Sequence, residues 1–190
     1  WMLFSLTAFP VKAQIFTPEK TGFPMKGVVI LTDLADNTLI QHSAALLQQD
    51  IKRATGYKPT IIHQLDKSYK NLIVIGTLAH SAILKELAAK KKISFTTIQD
   101  KWEGYQISTI QDPLPQTDNL LLIAGNDRRG AAYGVFECSK QLGISPWYWW
   151  ADVPVVQQKE ININIKINIT DAPKVKYRGI FINDEAPCLS

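Results

Sequence analysis

The chain has 190 residues, of which 46% are hydrophobic and 20% are charged, and its formal net charge is +4. These values suit one core domain of about 150 residues plus a remainder. Two cysteines, Cys138 and Cys188, exclude a disulfide framework and a cysteine-rich metal site. The densest basic run, residues 90–92, falls at a predicted helix end, where cations are favoured, so we predict no nucleic-acid partner.

The N-terminus carries an apolar stretch over residues 2–9 that is too short to span a bilayer. Residues 11–13, Val-Lys-Ala, then show the small-x-small pattern of a signal peptidase site. This pattern predicts a partial signal peptide over residues 1–13, a mature chain from Gln14, a secreted or periplasmic protein and no membrane insertion. The alternative is a buried N-terminal strand.

From residue 14 to residue 170, apolar runs typical of strands alternate with helical patterns. Residues 28–32 predict a strand. Residues 38–55 predict a helix that Gly56 ends and that has one apolar stripe, formed by Ile40, Ala44, Leu47 and Ile51. Residues 58–64 and 71–75 predict two further strands. A second helix follows over about residues 79–91, with an inward face of Ile83, Leu84, Leu87 and Ala88.

The same alternation continues in the second half of the chain. Residues 103–109 and 119–124 predict strands. Residues 128–142 predict a helix that Asn126 or Asp127 caps, that Gly143 ends, and whose buried face comprises Ala131, Val135, Cys138 and Leu142. Alternating isoleucines over residues 161–170 predict one strand, and residues 171–176 a linker. This order predicts an α/β domain over residues 14–170, with a mixed sheet and helices packed on it.

No cofactor or metal site is predicted. Gly76 and Gly125 each end a predicted strand before a helix, but neither has the glycine spacing of a nucleotide-binding loop. His42, His63 and His80 have no acidic or cysteine partner at ligand spacing, so we assign them no role.

Three of the five tryptophans lie between Trp147 and Trp150, flanked by prolines. Aromatic faces of this kind stack on sugars, but they also form the contact where one domain packs on the next. We favour domain packing because the cluster shortly precedes the predicted linker.

Residues 177–187 read as an apolar strand, buried on both faces, that leads into Asn183, Asp184 and Glu185. Glycoside hydrolysis uses paired carboxyl groups, and barrel enzymes carry such groups at the carboxyl ends of strands. On a strand Asn183 and Glu185 point to one side and Asp184 to the other. A capped turn at a strand end is the competing interpretation. We expect the chain to be the front of a larger enzyme.

Three ordered motifs resemble glycoside hydrolase family 115, the xylan α-1,2-glucuronidases. They are residues 128–134 (RRGAAYG), residues 143–154 (GISPWYWWADVP) and residues 176–187 (KYRGIFINDEAP). The resemblance implies that residues 14–170 are the non-catalytic α/β domain that precedes the catalytic barrel. Residues 177–190 would then begin a (β/α)8 barrel.

The resemblance further implies an inverting hydrolase, homodimeric at full length, that removes glucuronic acid or its 4-O-methyl ether from glucuronoxylan or derived oligosaccharides, with no cofactor. It places Asp184 in substrate binding or in positioning water, with Glu185 as a second catalytic candidate and Asn183 beside them. The 190-residue chain alone is expected to be inactive. The competing hypothesis is a stand-alone carbohydrate-binding or domain-docking module.

Overall fold

A computed structural model describes residues 14–115, 117–148, 151–158 and 160–179. These residues contain nine strands and three helices. The strands are β1 (Phe16–Thr17), β2 (Gly22–Pro24), β3 (Val29–Thr32), β4 (Thr60–Ile62), β5 (Asn71–Thr77), β6 (Tyr105–Leu114), β7 (Thr117–Gly125), β8 (Asn162–Asn164) and β9 (Asn168–Asp171). The helices are α1 (Thr38–Thr55), α2 (Ala82–Ala89) and α3 (Arg128–Gln141), and a 3-10 turn covers Pro146–Tyr148. The predicted α/β class is confirmed.

The main sheet has six strands in the order β4-β3-β5-β7-β6-β9. The first four run parallel, whereas β6 and β9 each pair antiparallel with their neighbours. Every residue of the central strand β5 is buried, as expected for a parallel strand covered on both faces. The predicted mixed sheet is therefore confirmed.

Helices cover both faces of this sheet. On one face α1 and α3 pack together, and on the other α2 covers the sheet through Leu84 and Leu87. The apolar stripe of α1 is at most 1% exposed, and the predicted face of α3 is fully buried. Burying each large side chain of the α1 stripe contributes roughly 1.5–3 kcal/mol, so packing rather than propensity stabilises these helices.

Local capping signals decide where the helices begin and end. Asn37 Oδ1 accepts a hydrogen bond from Leu39 N at 3.0 Å at the start of α1, and Gly56 ends the helix at φ 76°. The second helix begins at Ala82, not near residue 79, because Ser81 is its N-cap and accepts from Leu84 N.

The isoleucine-rich segment over residues 161–170 is not one strand, as predicted, but two. A bend at residues 165–166, where Asn164 Oδ1 accepts from Lys166 N at 3.0 Å, separates β8 from β9. The first strand lies between β1 and β2 in a small sheet, and the second pairs with β6 in the main sheet. Alternation predicted the burial of Ile161, Ile163, Ile167 and Ile169, but Asn162 is buried as well and Ile165 only partly so. The alternation contains no information on which sheet each half of the segment joins.

The short strands β1 and β2 were not predicted, because two or three residues are too few to show a period. They flank β8, and Gly22 allows the close approach: a Cβ there would lie 1.9 Å from the carbonyl oxygen of Ile163. Their apolar residues Phe16 and Phe23 belong to the same core as α1 and α3.

Cys138 is fully buried in α3, and this burial raises the pKa of its thiol. We therefore assign it to packing rather than chemistry. Within the described residues no helix combines the length and hydropathy that a bilayer crossing requires.

Candidate functional site

The residues predicted to face a sugar, Asn183, Asp184 and Glu185, lie outside the described residues, as do Cys188 and the predicted signal peptide. The predicted barrel strand enters the described part only through residues 177–179, which are exposed and form no strand there. These assignments stay predictions. The structure does describe how the chain that leads to them is held.

A charged cluster brings together the first and third motifs of the sequence. Arg129 and Tyr133 come from the first turns of α3, and Arg178 comes from the exposed segment of residues 174–179, which we call the connecting segment. Both arginines contact Glu103, in the turn before β6, and both also donate to the Tyr133 hydroxyl. We refer to Trp102, Glu103, Arg129, Tyr133 and Arg178 as the Glu103 cluster.

Glu103 is fully buried and is held between two arginines. Its Oε1 lies 2.8 Å from Arg129 Nε, and its Oε2 accepts a hydrogen bond from Arg178 Nη2. The contact with Arg129 is a close charge pair rather than an aligned hydrogen bond, since Oε1 accepts no bond of good geometry. A buried carboxylate is stable only when paired, so the arginines are what allow this side chain to be inside.

The other members of the cluster orient the two arginines. The Tyr133 hydroxyl oxygen accepts from Arg129 Nη2 at 3.2 Å and from Arg178 Nη2 at 3.0 Å. The ring of Trp102, 40% exposed, has the guanidinium carbons of Arg129 and Arg178 at 5.7 and 5.5 Å from its centre. Lys176 Nζ lies 5.9 Å from the same ring. Each such cation–π contact is worth about 0.5–1 kcal/mol at an exposed site.

The backbone of Glu103 is fixed independently of its side chain. Its φ is 53°, in the left-handed region that non-glycine residues rarely adopt. Its N–H donates to Asp127 Oδ2 at 2.8 Å, and the next carbonyl, of Gly104, accepts from Asn126 N at 2.9 Å. The prediction that a strand begins at Glu103 is therefore wrong: this turn delays the strand to Tyr105.

Sequence reasoning did not single out Glu103. Its partner Arg178 is 75 positions away, and no periodicity links the two. The one local sign is an acidic residue beside a glycine, just after a tryptophan and before a strand. That sign indicates a turn and does not reveal a buried ion pair.

A small cleft of about 260 Å³ lies at the carboxyl ends of β5 and β7, where open α/β sheets commonly bind ligands. Next to it Asp36 is buried, and it accepts from Thr77 N at 2.7 Å and from the Thr77 hydroxyl at 2.8 Å. His80 Nδ1 is 3.9 Å from Asp36. The oxygens of the Asp36 carboxylate therefore already accept hydrogen bonds from another residue of the domain. Within the described residues, no three His, Cys, Asp or Glu side chains lie close enough together to hold a metal ion.

The turn between β7 and α3, at Gly125, likewise has its space and its N–H groups used by the domain itself. A Cβ at Gly125 would lie 2.1 Å from Ala131 N, so the glycine serves close packing of strand and helix. Asp127 Oδ1 already accepts from Arg129 N and Gly130 N, each at 2.9 Å. The N–H groups that a phosphate would need at this helix start are therefore used by the cap.

The described part of the aromatic motif lies on the surface. Trp147 is 62% exposed, and Tyr148 packs under Arg53, whose guanidinium carbon is 5.0 Å from the ring centre. Beside them is an apolar groove of about 510 Å³ between α1 and α3, with Leu46 and Phe136 among its lining residues. Trp149 and Trp150 lie outside the described residues. The preference for domain packing stays a prediction.

Asp127 caps α3 and also accepts a hydrogen bond from Glu103 N in the turn before β6. We expect Asp127→Ala to lower the free energy of unfolding by about 2–3 kcal/mol, because it removes both the cap and a charged bond to a buried N–H. Urea unfolding measures this loss. Asn37→Ala, which removes a cap bonded to Leu39 N, is the matched control and should cost about 1 kcal/mol. Equal losses for the two variants would show that the bond to Glu103 N adds nothing.

Comparison with known proteins reveals relatives of this domain. A solved family GH115 4-O-methyl-α-glucuronidase with specificity for decorated arabinogalactans is 29% identical with a TM-score of 0.68, and the match covers 86% of this chain and 20% of that one. The chain thus spans about a fifth of that protein.

More distant solved structures are also similar. A GH138 enzyme targeting pectin rhamnogalacturonan II is 18% identical with a TM-score of 0.42, over 77% of this chain and 12% of that one. The GH20 β-N-acetylhexosaminidase of Streptomyces coelicolor A3(2) is 15% identical with a TM-score of 0.44, over 85% and 25%. These scores are too low to bear on function. No curated protein sequence matches the chain.

The sequence profile described as glycosyl hydrolase family 67 N-terminus matches residues 25–138, which are 114 of the 190 residues. That stretch runs from just before β3 to the buried Cys138, and so includes α1, α2 and all of α3 except its last three residues. The chain belongs to the glycosyl hydrolase family 67 N-terminus family.

Proposed function

We propose that this chain is the non-catalytic N-terminal domain of a longer glycoside hydrolase of the family 115 type. In this proposal the whole protein removes glucuronic acid or its 4-O-methyl ether from xylan side chains with inversion. The observation that carries the proposal is the likeness to a 4-O-methyl-α-glucuronidase over 86% of this chain. The three sequence motifs support the same assignment, and the family match agrees with an N-terminal position.

Three carboxylates of the described domain stabilise its own structure. Glu103 is paired with two arginines, Asp36 accepts bonds from Thr77, and Asp127 caps α3. A glycosidase acid must reach the leaving oxygen and a base must reach water, and these buried or capped groups are not available for either task. The engagement of these three groups supports the proposal that the domain is non-catalytic.

In the proposed mechanism Asp184 binds the sugar or positions the attacking water, with Asn183 and Glu185 beside it. Inversion requires two carboxyl groups roughly 6.5–9.5 Å apart, with a water molecule between one of them and the anomeric carbon. Further carboxylates of the site would come from other parts of the whole protein. A homodimeric, secreted or periplasmic enzyme that needs no cofactor completes the proposal.

The test is hydrolysis by the full-length protein. We expect it to release uronic acid from glucuronoxylan, and we expect the 190-residue chain to release none. Because the structural relative acts on decorated arabinogalactans, a glucuronidated arabinogalactan belongs in the substrate panel. Proton NMR of the first product should show the β-anomer, as inversion of an α-linkage requires. A retained anomer contradicts inversion, and release of no uronic acid from either polymer contradicts the proposal.

The second candidate is a carbohydrate-binding module, which the exposed ring of Trp147 favours, since aromatic faces stack on sugars. Calorimetric titration of the chain with xylan oligosaccharides separates the two functions. A supporting domain should show no saturable heat. Saturable binding that Trp147→Ala abolishes would assign the domain to carbohydrate binding.

A further inference from the structure

We propose that Glu103 and Arg178 form a positioning pair that fixes where the polypeptide enters the active site. The inference rests on the proposed function, because it takes Asn183, Asp184 and Glu185 as residues beside the sugar. It assigns a role to a buried carboxylate that has no part in the hydrolytic chemistry. Neither residue of the pair is placed in contact with substrate.

The first support is the contrast between the connecting segment and its anchor. Residues 174–179 are exposed, with Val175 60% and Tyr177 84% accessible to solvent. Arg178 connects this exposed segment to the domain, because its guanidinium donates to Glu103 and to Tyr133. Through Nη1 it also donates, at 2.7 Å, to the carbonyl of Val175. One side chain therefore fastens the segment to the domain and also folds the segment onto itself.

The second support is the rigidity of the acceptor. Glu103 is inside the domain, its N–H is bonded to Asp127, and the turn that carries it is bonded to the start of α3 through Asn126. A buried carboxylate that loses a charged partner is destabilised, so the paired arrangement is strongly preferred. The planar guanidinium also constrains orientation in a way that a lysine ammonium does not.

The third support is the short distance along the chain. Asn183 follows Arg178 by five residues and Asp184 by six. An extended chain advances at most about 3.3–3.6 Å per residue, so Asp184 lies within roughly 22 Å of the anchored arginine. A displacement of about 1 Å at a reacting group can reduce the rate by about a hundredfold. Loss of the anchor at Arg178 is therefore expected to lower activity.

The experiment compares variants of the full-length protein. Arg178→Ala breaks the anchor but leaves Glu103 with one charged partner. The double variant E103Q/R178A also removes the buried charge, so no carboxylate is left short of a partner and the domain should stay folded. The anchor is absent from this variant too. Asp50→Asn is the matched control, because Asp50 is also largely buried, with a side chain 11% exposed, and pairs with Arg53 at 2.9 Å within α1.

Activity and proteolysis are measured together. We expect kcat/KM to fall at least tenfold in R178A and in the double variant, with R178K between them and the wild type, and to stay within twofold in D50N. We expect trypsin to cut the 190-residue chain after Lys174 and Lys176 several times faster in the double variant than in the wild type. The thermal midpoint of the double variant should stay within a few degrees of the wild type.

Two results would overturn the inference. One is a double variant that keeps wild-type kcat/KM. The other is unchanged tryptic cleavage at Lys174 and Lys176 in that variant, which would show that Arg178 does not hold the segment. A wild-type protein that releases no uronic acid contradicts the proposed function instead, and in that case the cleavage rates still decide whether the anchor exists.

Discussion

Replacing Asp184 with asparagine in the full-length protein should lower kcat/KM for uronic acid release by a factor of about 10²–10⁴. That range is typical when a positioned carboxyl group that transfers a proton or orders water is lost. Asparagine keeps the size and one oxygen of the side chain, so the fold and the connecting segment should be unaffected. The rate of uronic acid release, measured under kcat/KM conditions, gives the factor.

Glu185→Gln tests the second catalytic candidate. Neighbouring residues on a strand face opposite sides, so a strand that directs Asp184 squarely at the sugar leaves Glu185 at the edge of the pocket. We therefore expect E185Q to lose less activity than D184N. If E185Q loses more, the sugar lies on the side of Asn183 and Glu185. If both variants retain full activity, this segment does not contribute the site.

Gly130→Ala should destabilise the domain by about 2 kcal/mol or more. A Cβ at this position would lie 2.3 Å from the carbonyl oxygen of Gly104, so the start of α3 would be forced away from the turn that carries Glu103. Overpacking costs about 1–3 kcal/mol even where flexible side chains can move, and here the obstacle is backbone. The higher helix propensity of alanine offsets about 1 kcal/mol of this loss. Urea unfolding of the 190-residue chain measures the difference.

Gly179→Ala is the matched control, because a Cβ there meets no atom within 4 Å. We expect a change within about 0.5 kcal/mol, as for most surface substitutions. If G130A is as stable as G179A, helix and turn are not in the close contact described above, and the support for Glu103 is weaker than the structure indicates.

Local signals explain why α1 was predicted so well. The signals that set this helix are its N-cap Asn37, its apolar stripe and the terminal Gly56, and all of them lie within the helix or next to it. One continuous stretch of sequence is therefore enough to predict where the helix begins, where it ends and which face is buried. The same holds for α3, where Asp127 provides the cap. Packing then confirmed what the period had indicated, because the stripes face the sheet.

Features that depend on distant partners could not be read from the sequence. The isoleucines over residues 161–170 alternate without interruption, yet the chain changes sheets at residues 165–166, where no glycine or proline marks a break. Glu103 is a stronger case, since its burial depends on arginines 26 and 75 positions later. The resemblance identified residues 128–134 and 176–187 as two motifs of one family, and the fold shows the carboxylate that joins Arg129 of the first to Arg178 of the second.

The coupling free energy between Glu103 and Arg178 tests most directly whether the domain holds the chain that leads to the proposed site. It is obtained from urea unfolding of the 190-residue chain as wild type, E103Q, R178A and the double variant. We predict that the two losses are not additive: the double variant should lose clearly less stability than the sum of the losses in E103Q and R178A, because the first substitution already removes the bond that the second would break. Additive losses would contradict an anchored connecting segment.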